Sequence, residues 1–276
     1  MSAGLRFTKM SGAGNDFVVL DSEAWDSVPQ DRAAWVRAVC RRGLSVGADG
    51  VLVVLREGGG RVRVVFFNPD GGEAFCGNGS RCAARFAHLH RIASGPDMTL
   101  RTAVGDVPAI VTGDHVRLTL PPPEDLGAIT LAVGAESYRG RWVNAGVPHV
   151  VIPVSGLAGY AIERLGPALR RHDKLGPEGA NVDLVESDSA GRVHVRTWER
   201  GVENETLACG TGAVAVAMAA RIAGAPEDIV VVPRSRSILT VSLPGDPVKP
   251  AAAILSGDAR LVFHGFLDPD ATMSPS

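Results

Sequence analysis

Two cysteines stand in the same unusual setting, each followed by glycines and then by an alanine-rich segment. Residues 76–79 read Cys-Gly-Asn-Gly, and residues 209–212 read Cys-Gly-Thr-Gly. A cysteine at the start of a helix lies beside unpaired N–H groups, whose positive field lowers a thiol pKa from about 8.5 toward neutral pH. The glycines leave these N–H groups open to a carboxylate ligand. The pattern predicts two thiols suited to proton transfer, each next to an anion-binding helix start.

Two such thiols can invert a chiral carbon without net oxidation or reduction. If both face one cleft, a thiolate removes the proton from one side of the carbon and a thiol delivers another from the opposite side. The helix starts stabilise the substrate carboxylate as negative charge develops. We therefore predict Cys76 and Cys209 as an acid/base pair. The remaining two cysteines, Cys40 and Cys82, are predicted to be packing residues.

An internal repeat relates the two halves of the chain. Four pairs of landmarks follow one another at nearly one offset, namely Gly14 and Gly146, Gly47 and Gly179, Arg61 and Arg192, and Cys76 and Cys209. We infer a duplicated fold whose boundary lies near the stiff segment 121–123, Pro-Pro-Pro. The expected domains are residues 1–122, completed by a returning strand within 260–276, and residues 123–259.

The residue pattern predicts an α+β fold that is rich in strands and has few helices. β-branched and aromatic runs predict strands at Leu52–Leu55, Arg61–Phe67, Val116–Leu120, Trp142–Val143, Val150–Val154, Val193–Trp198, Ile229–Val232 and Arg260–Phe266. Helices are predicted at Asp31–Arg41, Ser80–His90, Ala161–Arg171 and Gly212–Ala223. Each half then combines a sheet with a helix that starts just after its cysteine.

Composition and charge argue against several classes of partner. Among 276 residues, 28 are basic and 30 acidic, with no basic cluster, which argues against a nucleic-acid partner. The longest apolar run is too short to span a bilayer, and the N-terminus lacks a signal pattern, so we expect no membrane partner and a cytoplasmic location. No CxxC pair or Cys/His spacing predicts a metal, and disulfides are not expected in that compartment.

Together these segments resemble the diaminopimelate epimerase family. The resemblance runs through nearly the whole chain and rests on Gly-Ala-Gly-Asn-Asp-Phe at 12–17, Gly-Ala-Asp-Gly at 47–50, Phe-Asn-Pro-Asp-Gly at 67–71, Cys-Gly-Asn-Gly-Ser-Arg-Cys at 76–82, Glu-Arg-Gly at 199–201 and Ala-Cys-Gly-Thr-Gly at 208–212. It implies cofactor-independent interconversion of LL- and meso-2,6-diaminopimelate, in lysine and peptidoglycan precursor synthesis. It also implies a homodimer, and two similar barrel-like domains, each around a central helix, with the active site in the cleft between them.

The resemblance also assigns roles to residues of this sequence. Cys76 and Cys209 are implied to be the acid/base pair, in agreement with the reasoning above. The backbones implied to hold the reacting carboxylate are those of Gly77, Asn78, Gly210 and Thr211. Three asparagines, Asn15, Asn68 and Asn181, are implied to hydrogen-bond the substrate. Glu199 and Arg200 are implied to meet its amino and carboxylate groups, and His149 to lie close to the reacting centre.

The two halves differ where a two-ended substrate needs different partners. In the repeat, Asn68 aligns with Glu199 and Pro69 with Arg200, and an arginine fork suits a carboxylate. One departure concerns the distal end of the substrate, because many family members have asparagine where this chain has Val147. Asn144 is a candidate to compensate.

Three other functions stay open at this stage. A racemase of another amino acid, such as histidine, is consistent with the same motifs and with Val147. Thiol redox or covalent nucleophilic catalysis predicts a working Cys76–Cys209 disulfide or an acyl-enzyme. A pure binding module predicts that replacing either cysteine by alanine leaves function intact.

Overall fold

The computed structural model describes residues 4–273, which divide into two compact units. One unit contains the chain as far as Leu118 and resumes at Asp258, and the other is Thr119–Gly257. The division into two similar domains, residues 1–122 with 260–276 and residues 123–259, stays a prediction.

Strands dominate the described residues. In chain order they are β1 (Leu5–Gly12), β2 (Asn15–Leu20), β3 (Gly50–Gly58), β4 (Arg61–Phe67), β5 (Glu73–Ala74), β6 (Asp97–Thr102), β7 (Gly105–Thr112), β8 (His115–Leu120), β9 (Glu124–Val133), β10 (Glu136–Asn144), β11 (Pro148–Pro153), β12 (Asn181–Ser187), β13 (Val193–Glu199), β14 (Asn204–Thr206), β15 (Asp228–Val232), β16 (Leu239–Ser242), β17 (Ala253–Asp258) and β18 (Arg260–Leu267). The helices are α1 (Ser22–Asp26), α2 (Arg32–Val39), α3 (Gly77–Leu89), α4 (Ile162–Arg170) and α5 (Gly210–Ile222). This sheet-rich composition confirms the predicted α+β class.

Each unit repeats one order of strand pairing. In the first, β2 runs parallel to β3, β3 pairs antiparallel with β4, and β4 pairs with both β5 and the parallel strand β6, which continues into β7 and β8. In the second, β11, β12, β13, β14, β15, β16 and β17 take the same places in the same directions. The inferred duplication agrees with this correspondence. The terminal strand β18 pairs antiparallel with β1 within the first unit.

One helix in each unit is enclosed by the strands of that unit. Helix α3 packs against β1, β2, β3, β4, β6 and β7, and α5 packs against β10, β11, β12, β13, β15 and β16. Ten of the thirteen residues of α3 are buried, and so are eight of the thirteen in α5. Glycine and alanine are frequent in both helices, because strands on several sides limit the space around them.

A second apolar layer covers the outer face of each sheet. In the first unit α1 and α2 bring Trp25 and Trp35 onto β2 and β3. In the second unit α4 brings Leu165 and Leu169 onto β12 and β13, where they join Trp198. A strand buried on both faces reads as a continuous apolar run, as in β3, of which the sequence predicted the part Leu52–Leu55. Strands β2 and β12 were not predicted.

The two cysteine helices begin earlier than the sequence predicts. Helix α3 starts at Gly77, whereas Ser80 was predicted, and α5 starts at Gly210, whereas Gly212 was predicted. The reason is that the cysteine itself caps each helix, so the glycines form the first turn. Strands β6, β7, β9 and β16 were not predicted, although apolar and polar residues alternate in β6 and β16.

Candidate active site

The first cysteine caps the buried helix of its unit. Cys76 has an extended backbone, and its sulfur accepts a hydrogen bond from the Gly79 N–H at 3.3 Å. The side chain is half-buried, whereas Gly77 and Asn78 behind it are buried. The first N–H groups of any helix have no carbonyl partner within it, so this turn presents donors to an anion.

A chain of amide hydrogen bonds fixes Asn78 and Asn15. Arg81 donates to the Asn78 Oδ1 at 2.9 Å, and Asn78 Nδ2 donates to the Asn15 Oδ1 at 2.6 Å. Asn15 Nδ2 in turn donates to the Asp49 carboxylate at 3.0 Å. Because an arginine only donates and a carboxylate only accepts, the orientation of both amides is determined. Asp49 therefore orients Asn15.

Asn68 lies in the turn that follows β4. Its backbone N–H donates to the Gly72 carbonyl at 2.9 Å, and its carbonyl accepts from Gly71. Its half-buried carboxamide has no hydrogen-bond partner among residues 4–273, in contrast to the carboxamides of Asn15 and Asn78. The geometry leaves this amide available to a ligand.

The second cysteine caps its helix in the same way. Cys209 Sγ accepts from the Gly212 N–H at 3.4 Å and lies 3.3 Å from the Thr211 hydroxyl. Gly210 and Thr211 form the first turn of α5. Burial raises the pKa of the Cys209 thiol well above its usual value, and the negative charges of Glu199 and Asp183 add to this effect. The helix start alone does not make Cys209 a thiolate.

A buried Asp–His pair lies behind Thr211. His149 Nδ1 is 2.7 Å from the Asp183 carboxylate, and its Nε2 is 3.0 Å from the Thr211 hydroxyl. Asn181 Nδ2 donates to the same Nε2 at 3.1 Å, while its Oδ1 accepts from the Arg200 N–H at 2.7 Å. Since the Asn181 amide can only donate at this side, His149 Nε2 is the acceptor and Nδ1 carries the proton.

This arrangement connects the second thiol to a buried carboxylate. Hydrogen bonds lead without a break from Asp183 through His149 and Thr211 to Cys209. Thr197 donates to the second Asp183 oxygen at 2.7 Å. His149 was expected to lie near the reacting centre, and it contacts the cysteine through Thr211. Asp183 was not identified from the sequence. A carboxylate in the apolar run Val-Asp-Leu-Val of β12 was the available signal.

Glu199 and Arg200 follow one another at the end of β13 but have different surroundings. Glu199 accepts from the Thr206 hydroxyl at 2.6 Å, and burial raises the pKa of its carboxyl group against the opposing hydrogen bonds of Thr206 and Cys209. The Arg200 guanidinium is about a quarter exposed and lies 3.7 Å from the exposed Glu178. Such a weak surface pair leaves Arg200 able to bind a carboxylate.

Asn144 and Val147 lie on either side of the turn before β11. Both are half-buried, and the Asn144 Oδ1 has no hydrogen-bond partner in the described part of the chain. A buried amide oxygen without a donor is costly, so this atom is a candidate ligand contact. It is the residue that was considered as compensation for Val147.

Arg81 was quoted within a motif but given no role from the sequence. It is fully buried in α3, and its Nη1 has no hydrogen-bond partner among residues 4–273. Cys82 and Cys40 are buried as predicted, and burial raises the pKa of each thiol to about 12. These two thiols are therefore poor acid/base groups at neutral pH.

Neither a metal cluster nor a membrane-spanning helix occurs in residues 4–273. No group of three or more His, Cys, Asp or Glu side chains there is arranged to hold a metal ion. No helix in the same range is both long and apolar enough to cross a bilayer.

Comparisons with solved structures support the architecture. A probable proline racemase from Agrobacterium radiobacter superposes with a TM-score of 0.71 at 18% identity, covering 97% of this chain and 95% of that one. A hydroxyproline epimerase from Agrobacterium vitis gives 0.71 at 19% identity, covering 98% and 95%. A PhzF-family phenazine biosynthesis protein from Bacillus anthracis gives 0.72 at 15%, covering 96% and 99%. At these identities the similarity establishes the fold.

Sequence comparisons identify the family. The family model described as diaminopimelate epimerase matches residues 7–121 and 141–260. The diaminopimelate epimerase of Aquifex aeolicus is 38% identical over 279 residues, covering 96% of this chain and 99% of that protein. The one of Hydrogenobaculum is 36% identical over 275 residues, covering 94% and 97%. The chain belongs to the diaminopimelate epimerase family.

Proposed function

We propose that this chain interconverts the LL and meso isomers of 2,6-diaminopimelate by moving protons between the substrate and two cysteines. As a member of its family, the chain is an amino-acid epimerase and hence an isomerase. The single observation that carries the mechanism is the occurrence of Cys76 and Cys209 as N-caps of two equivalent buried helices.

In the proposed reaction, one cysteine thiolate takes the α-proton and forms an S–H bond. The electron pair of the broken C–H bond is delocalised into the substrate carboxylate, which the N–H groups of both helix starts stabilise. The other cysteine gives its S–H proton to the opposite face, forming the new C–H bond. No electrons are lost or gained, so neither a redox partner nor a cofactor takes part. For the reverse reaction the two cysteines exchange roles.

The substrate assignment is supported by groups suited to a two-ended zwitterion. We propose that the backbones of Gly77, Asn78, Gly210 and Thr211 hold the reacting carboxylate. Glu199 accepts from an ammonium group and Arg200 binds a carboxylate. The asparagines Asn15, Asn68 and Asn181 donate and accept hydrogen bonds around the substrate. The unpaired Asn144 Oδ1 supplies the polar contact that Val147 lacks.

We further propose a cytoplasmic homodimer that serves lysine and peptidoglycan precursor synthesis. Support for the dimer comes from the exposed apolar side chains of Val262, Phe263 and Phe266 on β18. Exposed groups of this kind are typical of surfaces that bind another protein. Sedimentation velocity tests this point, with a dimer expected at micromolar concentration and a monomer contradicting it.

Proton exchange in heavy water tests the proposed activity directly. The reduced protein, without added cofactor, is incubated with LL-diaminopimelate, and NMR follows loss of the α-proton while chiral chromatography follows meso product. Histidine and proline are run in parallel. Exchange and inversion of diaminopimelate alone are expected. Inversion of histidine alone would retain the mechanism, replace the substrate and make Val147 a specificity residue. Inactivity on all three, with both cysteines free, would contradict the epimerase assignment.

A further inference from the structure

The charged groups behind the two cysteines have opposite signs. Both thiols cap thirteen-residue helices and both accept a hydrogen bond from the N–H three residues on. The helix-terminal field is therefore equivalent at the two sites. Any difference in protonation must come from the side chains around each sulfur.

The buried guanidinium of Arg81, five residues after Cys76 in α3, interacts electrostatically with Cys76. Its Nη2 is used by Asn78 and its Nε donates to the backbone carbonyl of Asp258 at 3.3 Å. Its Nη1 has no hydrogen-bond partner, and Arg81 forms no salt bridge, among the residues that the structure describes. An arginine stays protonated near neutral pH even where burial lowers its pKa. A buried cation without a paired carboxylate is costly unless another negative charge is close.

Among the described residues, the other ionisable groups that interact with this guanidinium form no salt bridge with it. The carboxylate of Asp258 interacts with Arg81 but is already bound by the Ala13 N–H at 3.1 Å and by Arg260 at 2.5 Å. The Cys82 thiol is also near, and burial raises its pKa to about 12, so it is neutral. Cys76 is the remaining ionisable group that interacts with Arg81.

Behind Cys209 the neighbouring charges are negative. Burial is the largest effect that disfavours a thiolate there, and the charges of Glu199 and Asp183 add to it, against the hydrogen bonds of Cys209 with Thr211 and Gly212. The position in α5 that corresponds to Arg81, five residues after the cysteine, is the buried Val214. The second site thus has two carboxylates near its thiol and no equivalent of the arginine.

We propose that Arg81 is the countercharge of a Cys76 thiolate, so that in the resting enzyme Cys76 is the base and Cys209 is the protonated acid. This inference rests on the proposed function for its catalytic meaning, but the protonation states are properties of the free protein. Arg81 acts through Cys76 and through Asn78, and so it is a positioning residue. The isomer whose α-proton faces Cys76 then reacts directly. The other isomer requires prior transfer of a proton from Cys209 to Cys76, which makes Cys209 the thiolate.

Alkylation of the full-length protein without substrate tests the inference. Iodoacetamide labelling rates at Cys76 and Cys209 are measured separately by peptide mass spectrometry between pH 5 and 10. In the unmodified sequence, the half-maximal pH for Cys76 is expected at least about 2 units below that for Cys209. In Arg81→Met, the Cys76 value should rise by about 1 unit or more while the Cys209 value stays unchanged. Arg81→Lys should restore most of the original Cys76 value.

The control variant is Arg85→Met, one turn further along α3. Arg85 donates to the Ala259 carbonyl at 2.5 Å and carries the same charge farther from Cys76 along the helix, so its removal should shift the Cys76 value far less. Near-ultraviolet circular dichroism checks folding. If Arg81→Met does not fold, the proposal is still tested by which of the two thiols of the unmodified protein is labelled at lower pH. Labelling of Cys209 at lower pH than Cys76, or a folded Arg81→Met with an unchanged Cys76 value, would overturn the inference.

The outcome is separable from that of the proposed function. An Arg81-dependent Cys76 thiolate in a protein that does not invert diaminopimelate would retain the inference and remove the substrate assignment. Normal inversion with equal labelling profiles at the two cysteines would retain the epimerase and remove the role of Arg81.

Discussion

The two cysteine sites share a backbone and differ in the side chains beneath it. A methyl group on Gly79 would lie 3.1 Å from Leu52, whereas one on Gly212 would lie 2.9 Å from the Asp183 carboxylate. In the first unit Phe17 pairs with Gly50, the first residue of β3. At the equivalent position of the second unit, His149 pairs with Asn181, the first residue of β12. Apolar residues of the first unit therefore stand where the second has a hydrogen-bonded Asp–His pair.

This difference shows which properties the duplication kept and which it changed. The capped helix, the parallel strand pair and the enclosing sheet occur in both units. We propose that both helix starts present N–H groups to the substrate carboxylate. The buried charges diverged, with Arg81 near one thiol and Glu199 and Asp183 near the other. We propose that the two thiols, on a repeated backbone, therefore differ in affinity for a proton, as an acid/base pair needs.

The largest expected effect is the loss of inversion when either cysteine is removed. Cys76→Ala and Cys209→Ala should each lower the rate of LL-to-meso conversion by at least about 1,000-fold, because each removes the group on one face of the carbon. Cys82→Ala is the matched control and should keep most activity. Normal turnover by either of the first two variants would show that the two-thiol mechanism is wrong.

A smaller loss is expected when the Asp–His pair is disturbed. Asp183→Asn removes the charge that holds the proton on His149 Nδ1 and should reduce kcat by about tenfold or more. Asp228→Asn, at the exposed first residue of β15, serves as the control. Steady-state kinetics beside a thermal melt separates a catalytic loss from unfolding. Equal kcat values for the two variants would remove Asp183 from the reaction.

Removing the charge of Glu199 should change the pKa of the Cys209 thiol more than it changes the fold. Its carboxylate raises the pKa of Cys209, so in Glu199→Gln the pKa of that thiol should fall by about 1 unit, and labelling should begin at lower pH. The Cys76 profile is the internal reference and should not move. A half-maximal labelling pH of Cys209 that rises or stays constant would show that the charge of Glu199 does not control the pKa of this thiol.

The smallest expected effect concerns the two matched glycines. Gly79→Ala meets the flexible end of Leu52, and the gain in helix propensity offsets the crowding, so stability should change by less than about 1 kcal/mol. Gly212→Ala meets Asp183, which Thr197 and His149 hold in place, and should destabilise by about 1–3 kcal/mol. Urea unfolding measures both. An equal loss of unfolding free energy in the two variants would contradict the expectation that Leu52 yields and Asp183 does not.

The sequence predicted the parts of the site that repeat. Cysteine, glycine and asparagine in two similar segments predicted the helix starts at Cys76 and Cys209, and β-branched runs predicted strands such as β4 and β13. Arg81 and Asp183 were missed because the internal repeat does not reproduce their charge, the equivalent residues being Val214 and Leu52. Their importance depends on neighbours that are distant in sequence, such as Asp258 and His149. Strand β9 was missed because it is specified by pairing with β10 more than by its own pattern.

Isotope exchange by the two single-cysteine variants tests the central claim most directly. In heavy water, each variant keeps one base and can replace an α-proton by deuterium without inverting the carbon. Cys209→Ala and Cys76→Ala should therefore label different isomers, one the LL substrate and the other the D-centre of the meso compound, with neither forming the opposite isomer. Labelling of the same isomer by both variants would contradict the assignment of one cysteine to each face.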